Sequence, residues 1–280
     1  MDSGLVAGLA LGISASLLMN IGKGVQKQKV QVLKKGREMF RAPNLGDFVI
    51  WLTGIIMTCL AAPLYSMALK FTDKSSLVSS LSGIGLVGLL IYAGWILKES
   101  IGLREIFSSA LIITGTGIIS YFNQPISGSQ EYQLGSFIYV ALILVLLFGT
   151  LAFIGAKWHK LWGFSFGLIA GSLIGLAMIL GDMALVKSGG DFLGQLSNIY
   201  VYLALASATS ALVLTQVAFF KGSAVLVVPT INSFIILTPL AVEYFTFGTA
   251  LNLIQYTGSA LIIIGIIILT TSPKQVFQAK

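Results

Sequence analysis

The chain alternates long apolar runs with short polar breaks. Nine runs approach the roughly 20 residues that a helix, rising about 1.5 Å per residue, needs to cross a hydrocarbon core. They are 4–22, 46–69, 75–97, 105–122, 134–156, 162–186, 195–217, 223–245 and 251–271. Runs this long with so few charges predict membrane-spanning helices. The expected fold is therefore all-α: one polytopic transmembrane domain over residues 1–280, with about nine spans. Tyr, Trp and Lys/Arg gather near the ends of the runs, as interfacial anchors do; Trp158 and Trp162 bracketing Lys160 show it most clearly.

Composition agrees. The 280 residues are 56% hydrophobic and 10% charged, whereas a soluble domain is typically about 25% charged. The polar breaks are uneven in charge. Residues 23–45 carry Lys23, Lys27, Lys29, Lys34, Lys35, Arg37 and Arg41. With the N-terminus outside, the inner loops and C-terminal tail hold 14 of the 17 Lys and Arg, and the outer loops only Lys70, Lys74 and Lys187. The positive-inside rule then predicts an outside N-terminus and a cytoplasmic C-terminus; the plasma membrane is the expected location. The net charge of +7 follows from this asymmetry and implies no nucleic-acid partner. The 23–41 segment is suited to anionic lipid headgroups and reads as a solvated loop or an amphipathic surface helix. Met-Asp-Ser-Gly at the start has no basic n-region, so no cleaved signal peptide is expected.

One motif is written twice. Gly8-Leu-Ala-Leu-Gly-Ile-Ser-Ala-Ser-Leu-Leu-Met-Asn-Ile-Gly22 returns as Gly167-Leu-Ile-Ala-Gly-Ser-Leu-Ile-Gly-Leu-Ala-Met-Ile-Leu-Gly181. Downstream, Ser109-Ala-Leu-Ile-Ile-Thr-Gly115 returns as Ser259-Ala-Leu-Ile-Ile-Ile-Gly265. Two matches in the same order suggest duplication of a four-helix unit: repeat one over 4–122, a linker helix over 134–156 and repeat two over 162–271. A single linking span reverses the entry side of the second unit, so the repeats should be inverted. That architecture recurs in secondary transporters, with the binding site near the midplane at the repeat interface. Gly8, Gly12 and Ser16, and Gly167, Gly171 and Gly175, are spaced by four and share a helix face. Such a stripe lets helices approach closely in lipid, as a fixed packing seam or a sliding one.

These residues resemble the drug/metabolite transporter superfamily (EamA-like), small proteins of two homologous halves. In its repeats a span ends in a charged pair and the next helix carries an apolar run closing on Gly. Here that reads Gly94-Trp-Ile-Leu-Lys-Glu-Ser100 followed by Leu103-Arg-Glu-Ile-Phe-Ser-Ser-Ala-Leu-Ile-Ile-Thr-Gly115. Ile13-Ser-Ala-Ser16 followed by Gly22-Lys-Gly-Val-Gln-Lys27 looks like the first helix of the NIPA-type magnesium transporters. The second half departs from the pattern, since Thr249 stands opposite Glu99. The resemblance implies alternating-access transport of a small solute or cation, magnesium being the specific alternative.

Charges inside lipid are costly and tend to serve function. Asp182 and Glu243, near the outer ends of their runs, are candidate cation or proton sites, and with them candidate metal ligands. Each reads otherwise as an interfacial carboxylate. A hard cation such as magnesium wants oxygen ligands. Asn20, Gln216 and Asn232 complete the candidate path. Pro229 and Pro239 flank Asn232 and mark helix 223–245 as the expected broken helix, because proline frees backbone carbonyls. Lys23, the counterpart of Asp182, reads as a topology charge.

One cysteine (Cys59) and one histidine (His159) exclude a disulfide and the usual zinc spacings. Ile179-Leu-Gly-Asp182 lacks the first glycine of an intramembrane protease motif. No enzyme activity and no cofactor are expected. The expected partners are a small-molecule or cation substrate and the bilayer, with the oligomeric state open, a homodimer included. A non-transporting scaffold or receptor-like protein is the reading from another class.

Overall fold

A computed structural model describes residues 3–71, 81–122, 134–189, 191, 194–247 and 252–272. Among them are nine α-helices: α1 (Ser3–Lys29), α2 (Ala42–Phe71), α3 (Ile84–Trp95), α4 (Leu103–Phe122), α5 (Leu134–Lys157), α6 (Trp162–Lys187), α7 (Ile199–Lys221), α8 (Ala224–Phe247) and α9 (Leu253–Thr270). Each falls on one of the nine apolar runs. Eight are long and apolar enough to cross a membrane, and α3 is a shorter apolar helix preceded by a 3-10 turn at Leu81–Gly83. The protein is an all-α, polytopic membrane protein. Lys74, Thr249 and the tail lysines Lys274 and Lys280 lie outside the described residues.

The first polar break is not a solvated loop. α1 continues past Gly22 to Lys29, because Lys23, Gln26 and Lys27 are good helix formers and no proline intervenes. A 3-10 stretch then runs from Val30 to Phe40, turning at Gly36 with φ 55° and ψ −129°. A positive φ of this kind suits glycine alone. Val30 and Val32 are buried, while Lys34, Lys35 and Arg37 are exposed, so the segment is ordered and amphipathic.

The second correction concerns α8, which is one continuous helix through Pro229 and Pro239. A neighbouring helix makes room instead of the helix breaking. A Cβ at Gly175 would stand 2.7 Å from the Pro239 ring and 3.2 Å from the Ile235 carbonyl oxygen. Ile235 O is the carbonyl that Pro239, lacking an N–H, cannot serve.

The helices divide into two compact units. The first holds α1–α4, α9 and Phe219–Pro229; the second holds α5, α6, α7 up to Ala218, and α8 from Thr230. In the first unit α1 packs on α2 and α3, and α4 on α9. Gly85 of α3 lies against the Ser16 carbonyl and the Asn20 side chain of α1, and its N–H donates to Ser16 Oγ at 2.9 Å. In the second unit Gly171 of α6 lies against the Ile231 carbonyl and Phe234 of α8, and Thr238 Oγ1 donates to Ser172 Oγ at 2.9 Å.

The α4–α9 contact is reciprocal. A Cβ at Gly115 would stand 2.8 Å from Ile262 Cγ1 and meets the Gly258 carbonyl. One at Gly265 would stand 2.8 Å from Ile112 Cγ1 and 2.8 Å from the Ser108 carbonyl. Adding 150 to Gly115, Ile112 and Ser108 gives Gly265, Ile262 and Gly258. Each helix therefore presents the same positions to the other, and the paired numbers rise on one helix as they fall on the other: the pair is antiparallel and self-complementary. Such matching is what a two-fold axis produces.

The stripe residues Gly8, Gly12, Ser16, Gly167, Gly171 and Gly175 are all buried. Gly171→Leu is expected to abolish a monodisperse fold, because its side chain would enter the α8 backbone; overpacking costs about 1–3 kcal/mol even where neighbours can shift. Size-exclusion profiles and thermal unfolding in detergent check this. A wild-type profile would remove the close-packing role.

Candidate functional site

In the first unit α1 buries a polar face formed by Ser16, Asn20, Lys23 and Gln26, spaced at helical intervals. Asn20 Nδ2 donates to the Ser16 carbonyl at 2.9 Å. Gln26 Nε2 donates to the Gly54 carbonyl at 3.1 Å and to Thr58 Oγ1 at 2.8 Å, tying α1 to α2. Lys23 is only 4% exposed. It is not a solvated topology charge, because the continued helix carries it onto the packed face.

One helical turn further, Lys27 donates through Nζ to the Phe219 carbonyl at 2.6 Å, in the last turn of α7. Phe219 is followed by the buried Gly222–Ser223 connection into α8. A helix start leaves its first N–H groups without intrahelical partners, and this start is fully served. Ser223 Oγ accepts from Leu226 N–H at 3.2 Å, as an N-cap side chain does. The Ser223 carbonyl accepts the first intrahelical bond, from Val227. The remaining two donors go to Glu99: Ala224 N–H to Oε1 at 2.7 Å and Val225 N–H to Oε2 at 3.0 Å.

Glu99 reaches this place from the connection between α3 and α4. Its own N–H bonds the Ala93 carbonyl at 3.0 Å. Lys98 just before it has φ 55°, a left-handed conformation that costs a non-glycine residue roughly 1–2 kcal/mol. Glu99 is 8% exposed. Burial pushes its carboxyl above the ordinary value, while the Val225 and Ala224 amides and the Lys27 charge pull the other way. Glu105 in the first turn of α4 is also buried; it accepts from Gly102 N–H at 2.8 Å and from the Ser272 hydroxyl after α9.

The second unit holds the other candidates. Asp182 on α6 and Glu243 on α8 lie close enough for their charges to repel. Asp182 is exposed and Glu243 half-buried. Asn232 is half-buried on α8, and Gln216 of α7 is buried with Nε2 3.4 Å from the Leu212 carbonyl. The structure thus brings Asp182 and Glu243 together and places Gln216 and Asn232 in the same unit, while Asn20 belongs to the first. Among the described residues no group of three or more His, Cys, Asp or Glu could hold a metal ion.

The α7–α8 clamp escapes sequence reasoning. Lys27 was grouped with loop lysines and Glu99 with span-end charges. The available signal was local: Ser223 preceding an apolar run, and an acidic residue beside a helix end. No family model, no curated protein and no solved structure matches this chain.

Proposed function

We propose that the protein is a secondary transporter of a small solute or cation, of the drug/metabolite transporter type, built from inverted repeats and working by alternating access. The observation that carries this reading is the reciprocal antiparallel packing of α4 on α9 at the repeated Ser-Ala-Leu-Ile-Ile-x-Gly motif. Helices one and three of each repeat also meet through small residues: Ser16 on Gly85, Gly171 on Ile231. Under the 159-residue offset, Gly12 and Ser16 correspond to Gly171 and Gly175. Duplication with inversion accounts for both patterns; a scaffold has no need of either. The paired carboxyls of Asp182 and Glu243 favour a cation as cargo or coupling ion. Magnesium, as in NIPA-type transporters, is the specific form of that reading, though two carboxylates make a thin ligand set.

The test is flux into proteoliposomes of purified protein, with magnesium, monovalent cations and small organic solutes offered in turn. Asp182→Asn and Glu243→Gln are expected to reduce cation-dependent flux by about tenfold, as loss of a charged hydrogen-bonding group does, with expression unchanged. Flux that both variants leave intact would return the two carboxylates to interfacial roles. No flux of any cargo would favour the scaffold.

A further inference from the structure

We infer that Glu99 is a proton-operated latch on the start of α8, held in register by Lys27. The inference rests on the transporter reading for its purpose, but the geometry and the test stand without it.

The connection Phe219–Val225 is gripped by two charged side chains, and Gln31 Nε2 adds a neutral bond to the Phe220 carbonyl at 3.1 Å. Lys27 holds the Phe219 carbonyl where α7 ends, and Glu99 holds the Ala224 and Val225 amides where α8 begins. Both grips are charge-assisted, roughly twice as strong as neutral bonds, and both are directed along the helix dipoles: a cation at a C-terminus, an anion at an N-terminus. The two charges also act on each other. The turn is thereby fastened to α1 and to the α3–α4 connection, all within the first unit.

Protonation undoes one grip by simple accounting. Ionised, Glu99 offers two acceptor oxygens to two N–H groups. Neutral, one oxygen carries the proton and is left a much poorer acceptor, so one of the two bonds is weakened or lost. The proton settles on Glu99 and no other bond is made or broken. α8, which carries Asn232, Thr238 and Glu243, is then released at its first turn. Burial moves this titration upward from the ordinary carboxylate range, so the latch opens under milder acidity than a surface Glu would require. Lys27 on α1 is the charge that acts on Glu99; Lys34, 5.0 Å above the Phe220 ring, acts on Lys27, and Lys98 precedes Glu99 in the chain. Glu105, the buried carboxyl that opens α4, bonds Gly102 N–H and the Ser272 hydroxyl instead.

Strain at Lys98 fits a positioned part. A carboxylate needed only to cover a helix end could sit on the helix's own N-cap, and here Ser223 already does so.

Hydrogen exchange of the peptide spanning Phe219–Pro229 tests the latch. Protection factors, corrected for intrinsic rates, are followed from neutral to acidic pH in detergent. In the wild type, protection of Ala224 and Val225 is expected to fall about tenfold or more on acidification, as loss of a charge-assisted bond implies. Glu99→Gln should show the low value at every pH. Lys27→Met should move the midpoint to higher pH, because the Lys27 charge adds to the two amides in favouring the carboxylate. Lys27→Met also separates a latch from a static cap, which would shift no midpoint. Protection that is pH-independent in the wild type, or a Glu99→Gln protein protected like the wild type, overturns the inference. If Glu99→Gln fails to fold, the wild-type and Lys27→Met titrations decide alone. A pH-switched α8 in a protein that moves no cargo would keep the latch and remove the transporter; flux without the switch would do the reverse.

Discussion

Gly115→Leu and Gly265→Leu are each expected to destabilise the protein by about 3 kcal/mol, the upper end of the usual cost of overpacking, and by similar amounts. The similarity is the informative part. Gly115 faces Ile262 and the Gly258 carbonyl; Gly265 faces Ile112 and the Ser108 carbonyl. Because the two environments correspond position by position, a leucine meets the same obstacle in both: an isoleucine Cγ1 and a backbone oxygen. The oxygen cannot move without shifting a helix. In lipid no hydrophobic force compensates, since close packing itself holds the helices together. Thermal unfolding in detergent, with fluorescence size exclusion, measures both variants. One tolerated and one not would mean that the pair is a chance contact and not a duplicated one.

Glu99→Ala has the second large effect. It leaves the Ala224 and Val225 amides inside the protein without their acceptor, and removes the anion that faces Lys27. Buried donors left unserved cost about 1–3 kcal/mol each, and a charge stripped of its partner costs more, so a loss of about 3–5 kcal/mol is expected. Glu99→Gln keeps the volume and one acceptor and should lose less. Thermal unfolding ranks the three proteins; Glu99→Ala as stable as Glu99→Gln would mean that water serves the helix start instead.

The contrast between these residues explains what could be read from the sequence. The nine runs were legible because lipid demands about 20 apolar residues in a row, a signal that needs no partner. The α4–α9 contact left a trace because both helices carry the same small residues where their backbones touch. Gly22 and Gly181 show the limit. They match in the motif, yet Gly22 lies against Gly54 and Thr58 of α2 whereas a Cβ at Gly181 would meet nothing within 4 Å. Their shared letter does not encode a shared contact.

Polar residues were harder for a physical reason. The partners of Glu99 lie 125 and 126 positions away, and that of Lys27 lies 192 away. Local pattern marks the helix start at Ser223 but does not say which distant residue pairs with it. Charge-based reasoning also placed Lys23 and Lys27 in water because cations usually close a span; helix propensity carried both onward into α1. The expected break in α8 failed because proline's cost depends on the neighbour. Gly175 supplies the space that lets Pro239 stay within a continuous helix.

The proposal to be tested first is that two antiparallel copies of one unit build this protein. Cross-linking in native membranes, in a Cys59→Ser background, tests it most directly. Gly115→Cys with Ile262→Cys, and Ile112→Cys with Gly265→Cys, are the two symmetry-related pairs. Both are expected to form disulfides at comparable rates, while Gly115→Cys with Gly265→Cys, the pair that a parallel alignment of the motifs would join, should form little. Efficient cross-linking of that third pair, or of only one symmetry-related pair, would contradict the inverted duplication.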